Sequence, residues 1–206
     1  MLKQHLRHFF TATALLLAMT GTVSAVEYKT IDPSASKLSF TYSQMNVNMD
    51  GHFKQVNASQ FSFDPAVPEQ ARVIIEIPLA DIDAGYGEAN EELKKTEWLD
   101  ISTYPVAKFE SVKVQALGDN RFQVDGKLDI KGNTRDVSIP FTFSEKDGQG
   151  IFEGEFAFKR ADFKVGEGMW GDFGIVANDI RITFSVVAGQ SCRFIPNNIF
   201  ELFFIK

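Results

Sequence analysis

The sequence predicts an all-β fold in which eight antiparallel strands close into a barrel and one short helix is added. The first observation is that large apolar and small polar residues alternate, as in residues 38–42 and 137–143. Successive side chains of a strand point to opposite faces, so each of these segments has one apolar face. The second is that turn-forming residues at 117–121, 130–134 and 145–150 join consecutive segments. Such short linkers are typical of hairpins, and closure of the meander would remove its exposed edges.

Each predicted element is bounded by turn signals. Strands are predicted over 37–43, 52–63 (bent at 57–59), 71–79, 106–117, 121–130, 136–144, 150–160 and 178–187. The only stretch with helical composition is 88–99, which is rich in Glu, Ala, Lys and Leu. We expect it to end at Asp100, because an extended segment leads to Pro105.

The two ends of the chain are expected to lie outside the barrel. Residues 1–25 have a basic start, a short apolar run and small residues at 23–25, which is the layout of a cleaved secretory signal peptide. This predicts export to the periplasm and a mature domain over 26–188. Residues 189–206 are interpreted as a C-terminal tail of unknown role.

Composition disfavours several classes of function. The formal net charge is −6 and becomes more negative once Lys3 and Arg7 are removed, which disfavours nucleic-acid binding. His52 is the one histidine after the leader, and Cys192 is the single cysteine. An intramolecular disulfide is therefore excluded, and zinc sites and Ser-His-Asp or Cys-His catalysis lack the residues they need. The prediction is a protein that is not an enzyme, with no metal or cofactor.

The 20 phenylalanines either fill the barrel or surround a space inside it. An eight-stranded barrel has an interior that side chains can just fill or that holds one small ligand. Few alanines alternate with the rings, so complete filling would be crowded, and an aromatic tunnel that accepts a long apolar ligand would relieve this. The side chains predicted to line that tunnel are Phe40, Tyr42, Phe61, Phe63, Phe109, Phe122, Phe141, Phe143, Phe156, Phe158, Trp170 and Phe184.

Three cations are candidates for contact with a ligand head group. Lys131 and Arg135 flank a turn between two predicted strands, and Arg160 ends another strand. At the barrel mouth they would pair with a pyrophosphate or donate to a quinone carbonyl. The alternative is that they form surface salt bridges with neighbouring aspartates.

Other motifs support weaker interpretations. Residues 166–171 match G-x-G-x-x-G, but the dinucleotide fingerprint needs a preceding strand and a following helix, which the pattern does not predict here. Residues 81–85 lack the further ligands of a calcium loop, and we interpret them as a turn. Nothing in the sequence brings Asp162 and Asp172 to the defined separation that a glycosidase needs.

The order and spacing of several short motifs resemble the YceI-like family of exported bacterial domains. The matching stretches are 28–34, 38–41, 51–54, 61–65, 82–85, 98–100, 104–111, 126–137, 159–163 and 166–172. The resemblance implies a lipocalin-like antiparallel β-barrel that binds a polyisoprenoid or other lipid. Many relatives carry histidines where this chain has Ala35 and Gln44.

Residues 43–47 are similar to a subgroup of that family that also occurs fused to cytochrome b561-type membrane domains. This similarity implies an isoprenoid quinone as ligand and a membrane cytochrome b561-type partner. We therefore expect a periplasmic carrier that sequesters a long isoprenoid, a quinone included, or a fatty lipid. An enzyme acting on an apolar substrate inside the barrel and a packed barrel without ligand stay open, as does the oligomeric state, a dimer included.

Overall fold

The computed structural model describes residues 26–191, which form a strongly curled antiparallel sheet closed into a barrel. The predicted leader and residues 192–206 of the predicted tail lie outside the described residues, whereas residues 189–191 of that tail belong to the last strand. The strands are β1 (Glu27–Ile31), β2 (Lys37–Gln44), β3 (Val47–Phe53), β4 (Asn57–Ser62), β5 (Arg72–Pro78), β6 (Ile82–Asp83), β7 (Val106–Gly118), β8 (Arg121–Ile130), β9 (Asn133–Lys146), β10 (Gln149–Lys159) and β11 (Asp179–Ser191). The helix α1 covers Gly87–Leu93.

The sheet follows the predicted meander for most of its length. Its strand order is β4-β5-β7-β8-β9-β10-β11-β2-β3-β6. The long strand β11 is shared, since Arg181–Ser185 pair with β2 and Ala188–Ser191 pair with β1. Tyr28 and Phe63 then exchange two backbone hydrogen bonds of 2.9 and 3.0 Å, so β1 also joins β4 and closes that end of the barrel.

The all-β class and the single short helix are confirmed, and eleven strands replace the eight predicted. The segment 52–63 is not one bent strand, because β3 pairs with β2 and β6 whereas β4 pairs with β5. The short strands β1 and β6 were not predicted. The helix is shorter than the predicted 88–99, because the chain turns after Leu93 to bury Trp98 and Leu99 in the core.

The core has two parts along the barrel axis. The α1-end cluster contains Leu79, Trp98, Leu99, Phe163 and Val176 among its buried members. The β1-end cluster contains Tyr28, Phe63, Phe122, Phe143 and Phe152. In the β1-end cluster the rings meet edge to face, with Phe63 lying 5.3 Å from Phe122 and 5.1 Å from Phe152 between ring centroids. The rings therefore fill the barrel at this end.

Glycines on the neighbouring strands make room for several of the aromatic rings. Gly51 is the cross-strand partner of Phe40, and Gly154 is the partner of Phe184. A Cβ at Gly126 would lie 2.6 Å from the ring of Phe109, so only glycine allows this approach. Because few alanines alternate with the rings, crowding is expected. These glycines relieve part of it, since each lets a ring lie against the backbone of the barrel wall.

Candidate binding cavity

An apolar cavity of about 450 Å³ runs through the barrel between the two core clusters. Its size lies within the range of about 300–1,000 Å³ that is usual for small-molecule sites. The wall is built by inward side chains of β2, β5, β7, β10 and β11, with α1 and the segment 160–176 at one end. An interior that the strands enclose with apolar side chains can take an apolar molecule out of water.

The structure brings most of the predicted aromatic residues to this wall. They are Phe40, Tyr42, Phe61, Phe63, Phe109, Phe141, Phe156, Phe158, Trp170 and Phe184. Phe122 and Phe143 do not line the cavity. Both are buried in the β1-end cluster, where Phe122 stacks on Phe141 at 5.4 Å and Phe143 contacts Tyr28 at 5.2 Å.

Sequence reasoning missed the aliphatic part of the wall. Val73, Ile75 and Ile77 alternate along β5 and line the cavity, together with Leu79 and Ile82 just beyond it. The alternation of apolar residues that predicted this strand was the available signal, but the site prediction was restricted to aromatic residues.

The polar side chains of the wall gather mainly at the end covered by α1. Tyr42 and Gln44 lie near the end of β2, and Tyr86, Glu88 and Glu92 lie on or beside α1. Tyr86 and Glu88 are the exposed members of the lining, so the cavity reaches the surface here. We call this end the mouth. Tyr42 was predicted, whereas Glu88 and Glu92 were not, because the alternation of strand residues carries no signal for side chains that a helix contributes.

Hydrogen bonds hold the groups at the mouth in place. The Tyr86 hydroxyl donates to Gln44 Oε1 at 2.9 Å, and the Tyr42 hydroxyl donates to the Ala84 carbonyl at 3.1 Å. Trp170 Nε1 donates to Glu92 Oε1 at 3.0 Å, which ties α1 to the segment after β10. Burial, with a smaller effect from the neighbouring Tyr86, raises the pKa of Tyr42 to about 12.

Arg160 lies at the same end, and the wall includes it, but its donors are already occupied. The side chain is 1% exposed, and its five N–H groups reach five backbone carbonyls. These acceptors are Ala177 (from Nε, 3.1 Å), Val165 and Gly166 (from Nη1, 2.8 and 2.9 Å), and Trp170 and Val176 (from Nη2, 2.6 and 2.7 Å). Burial lowers the pKa of Arg160. The guanidinium thus holds the segment 165–177 against the end of β10.

The other two candidate cations lie outside the wall. Lys131 is 8% exposed, and its Nζ donates to the Lys164 carbonyl at 2.7 Å and pairs with Glu167 at 3.0 Å. Arg135 is exposed on β9 and donates to the carbonyl of its neighbour Thr134. Lys131 therefore connects the β8–β9 turn to the segment after β10, and neither side chain borders the cavity.

Residues 26–191 contain no group of three or more His, Cys, Asp or Glu side chains placed to hold a metal ion. His52 is exposed, with Nε2 lying 4.0 Å from a carboxylate oxygen of Asp83. No helix within the same residues has the length and apolar character needed to cross a membrane.

Known proteins are similar to this chain in sequence and in fold. The model of the YceI-like domain matches residues 29–188. A UPF0312 protein from Azotobacter vinelandii is 30% identical over 195 residues, which cover 90% of this chain and 97% of that protein.

Two solved structures show the same architecture. Burkholderia cenocepacia BcnA superposes with a TM-score of 0.74 and 38% identity, covering 77% of this chain and 99% of BcnA. A polyisoprenoid binding domain from Saccharophagus degradans, implicated in plant cell wall breakdown, superposes with a TM-score of 0.63 and 14% identity, covering 80% and 99%. At that identity the second likeness shows the fold alone. The family match and the identity to its relatives agree with the barrel described above, and the chain belongs to the YceI-like domain family.

Proposed function

We propose that this protein binds the apolar chain of an isoprenoid or a similar lipid in the barrel cavity, as an exported periplasmic carrier that does not transform its ligand. The observation that carries the proposal is the cavity of about 450 Å³. Its wall is apolar over most of its area, and the polar side chains of the wall gather mainly at the mouth. The polyisoprenoid binding domain from Saccharophagus degradans, which has the same fold, supports this ligand class.

The cavity volume sets the length of chain that can be buried. At about 30 Å³ for each water-sized group, the cavity takes roughly 15 methylene-sized groups. That number corresponds to about three isoprene units, so a longer tail would widen the cavity or extend through the mouth.

The same number limits the affinity. Burial of roughly 15 groups at about 0.8 kcal/mol each contributes about 12 kcal/mol before costs. Association costs of at least about 4 kcal/mol leave a dissociation constant in the micromolar range at best. We propose that the predicted aromatic residues on the wall, Phe156, Phe158 and Phe184 among them, contact this chain.

The first experiment asks what the protein carries. The mature chain, purified without detergent, would be extracted with organic solvent, and the extract would be analysed by mass spectrometry. We expect a prenyl or other long-chain lipid in a ratio near one per protein. When the protein is incubated with that lipid, we expect to recover the lipid chemically unaltered. A clean extract combined with no uptake of added farnesol would refute the proposal.

A pair of variants tests whether the ligand occupies this cavity. Ala107 lies on the wall, whereas Ala157 is exposed on β10 between the inward-facing Phe156 and Phe158. Ala107→Phe adds a ring inside the barrel and is expected to weaken farnesol binding about tenfold or more, because it removes space for several methylene-sized groups. Ala157→Phe adds the same ring outside and should leave binding unchanged. Equal binding by both variants would place the ligand elsewhere.

A further inference from the structure

The charges at the mouth have a consequence for the head group of the ligand. The wall includes four charged side chains, which are Glu88, Glu92, Lys108 and Arg160. Lys108 stands between Ala107 and Phe109 on β7, and its ammonium pairs with Glu110 at 3.0 Å. All five N–H groups of Arg160 donate to backbone carbonyls. Arg160 therefore has no free donor for an anionic ligand, and the Lys108 ammonium is held by a carboxylate of its own strand.

The carboxylates at the mouth oppose an anion directly. Glu88 is exposed on the first turn of α1, and within residues 26–191 it has no ion-pair partner. Glu92 already accepts from Trp170 and pairs with Lys95. A phosphate entering here would lose water, gain no cation and approach a like charge, and each of these effects is unfavourable.

Uncharged hydrogen-bonding groups at the same end are available. Gln44 uses its amide oxygen to accept from Tyr86, which leaves its amide N–H groups without a partner among the described residues. Trp98 also lines the cavity, is 6% exposed, and has a buried Nε1–H with no partner within the part of the chain that is described. A buried donor without an acceptor is rare, and an oxygen atom of a bound molecule would satisfy it.

We propose that the mouth selects lipids whose head group is an uncharged oxygen group, such as an alcohol or a carbonyl, and discriminates against the same chain carrying phosphate. This inference rests on the proposed function, because it concerns the head group of the lipid whose tail fills the cavity. Gln44 and Trp98 are then the proposed head-group contacts, in place of Lys131, Arg135 and Arg160.

The test compares two ligands with one tail. Farnesol and farnesyl diphosphate would be titrated into the mature protein at low ionic strength, each displacing the same environment-sensitive apolar dye. We expect farnesol to bind at least about tenfold more tightly, since the diphosphate loses solvation without a counter-charge. Equal or tighter binding of the diphosphate overturns the head-group inference and leaves the proposed function intact. Failure of both ligands to bind overturns the proposed function and this inference with it.

Two variants assign the selectivity to the mouth. Glu88→Lys is expected to raise the affinity for farnesyl diphosphate several-fold relative to that for farnesol, and added salt should reduce the gain because the site is exposed. Glu69→Lys is the control, because it changes the net charge equally at an exposed site outside the cavity wall. The same gain in both variants would overturn a local role of Glu88. Gln44→Leu should weaken farnesol binding several-fold, and unchanged binding would overturn the assignment of Gln44.

Discussion

Replacing Arg160 by lysine tests how the mouth of the barrel is held together. The guanidinium is 1% exposed and donates to five backbone carbonyls of the segment 165–177. Lysine keeps the positive charge but has only three N–H donors, so at least two of these carbonyls lose their partner. The guanidinium also lies so close to Gly166 that a Cβ at that position would collide with it.

The expected loss of stability follows from the carbonyls left unpaired. A buried acceptor without a partner costs about 1–3 kcal/mol, so two of them cost roughly 2–6 kcal/mol in the free energy of unfolding. Since a domain is stable by about 5–15 kcal/mol in total, this loss is a large fraction. Wall residues Trp170 and Val176 lie in the same segment, so farnesol binding is expected to weaken as well.

Urea denaturation of the protein measures this loss, with Trp98 and Trp170 as fluorescent reporters close to Arg160. Arg181→Lys is the matched control, because Arg181 is exposed on β11 and, among residues 26–191, pairs only with Glu155 at 3.0 Å. It should change the free energy of unfolding by no more than about 0.5 kcal/mol. A loss below about 1 kcal/mol for Arg160→Lys would mean that the five hydrogen bonds do not hold this segment.

Three further outcomes are expected. Gly126→Ala places a methyl group against the Phe109 ring and should lower the free energy of unfolding by about 1–3 kcal/mol in urea titrations; no change would refute the close packing. Since the pKa of Tyr42 is raised to about 12 in the folded protein, its contribution to stability is complete below the unfolded value near 10 and is lost as pH rises through 12. Tyr42→Phe should therefore remove a phenolate absorbance step near pH 12, and an unaltered titration would contradict this. A chain truncated after Ala188 loses the backbone pairing of residues 189–191 with β1, which a chain truncated after Ser191 keeps. The shorter chain should therefore have the lower melting temperature, and equal melting temperatures would contradict this.

The long strands were predictable because their alternation is sustained. Over β8–β11 each strand keeps its inward and outward faces for ten or more residues, and two-residue turns fix the β8–β9 and β9–β10 pairings. The two-residue strand β6 is too short to show a period, and β1 has only five residues. Residues 52–63 show no local signal that β3 and β4 pair with different neighbours, since that choice depends on how the barrel closes.

The site was predictable only where it is made of strand. Alternation places Phe156 and Phe158 on one face, and both line the cavity. Glu88 and Arg160 lie at the mouth because α1 and the segment after β10 fold over that end of the barrel, and an arrangement of this kind is set by tertiary structure. Arg160 is an example, because the sequence places a cation at the end of a strand, where it could contact a ligand. Only the structure shows that its donors are taken up by five backbone carbonyls.

The alternating rings act both as a core and as a wall, and their different packing partners explain how. At the β1 end, Phe63 lies between Phe122 and Phe152 with rings edge to face, so the rings meet across the barrel and close it. Nearer the mouth, Phe40 lies over a glycine of the next strand, which draws the ring back to the wall and leaves the centre open. If the protein binds a lipid as proposed, we expect its tail to lie towards the β1 end, because the polar side chains of the described wall gather mainly at the mouth and can hydrogen-bond a head group there.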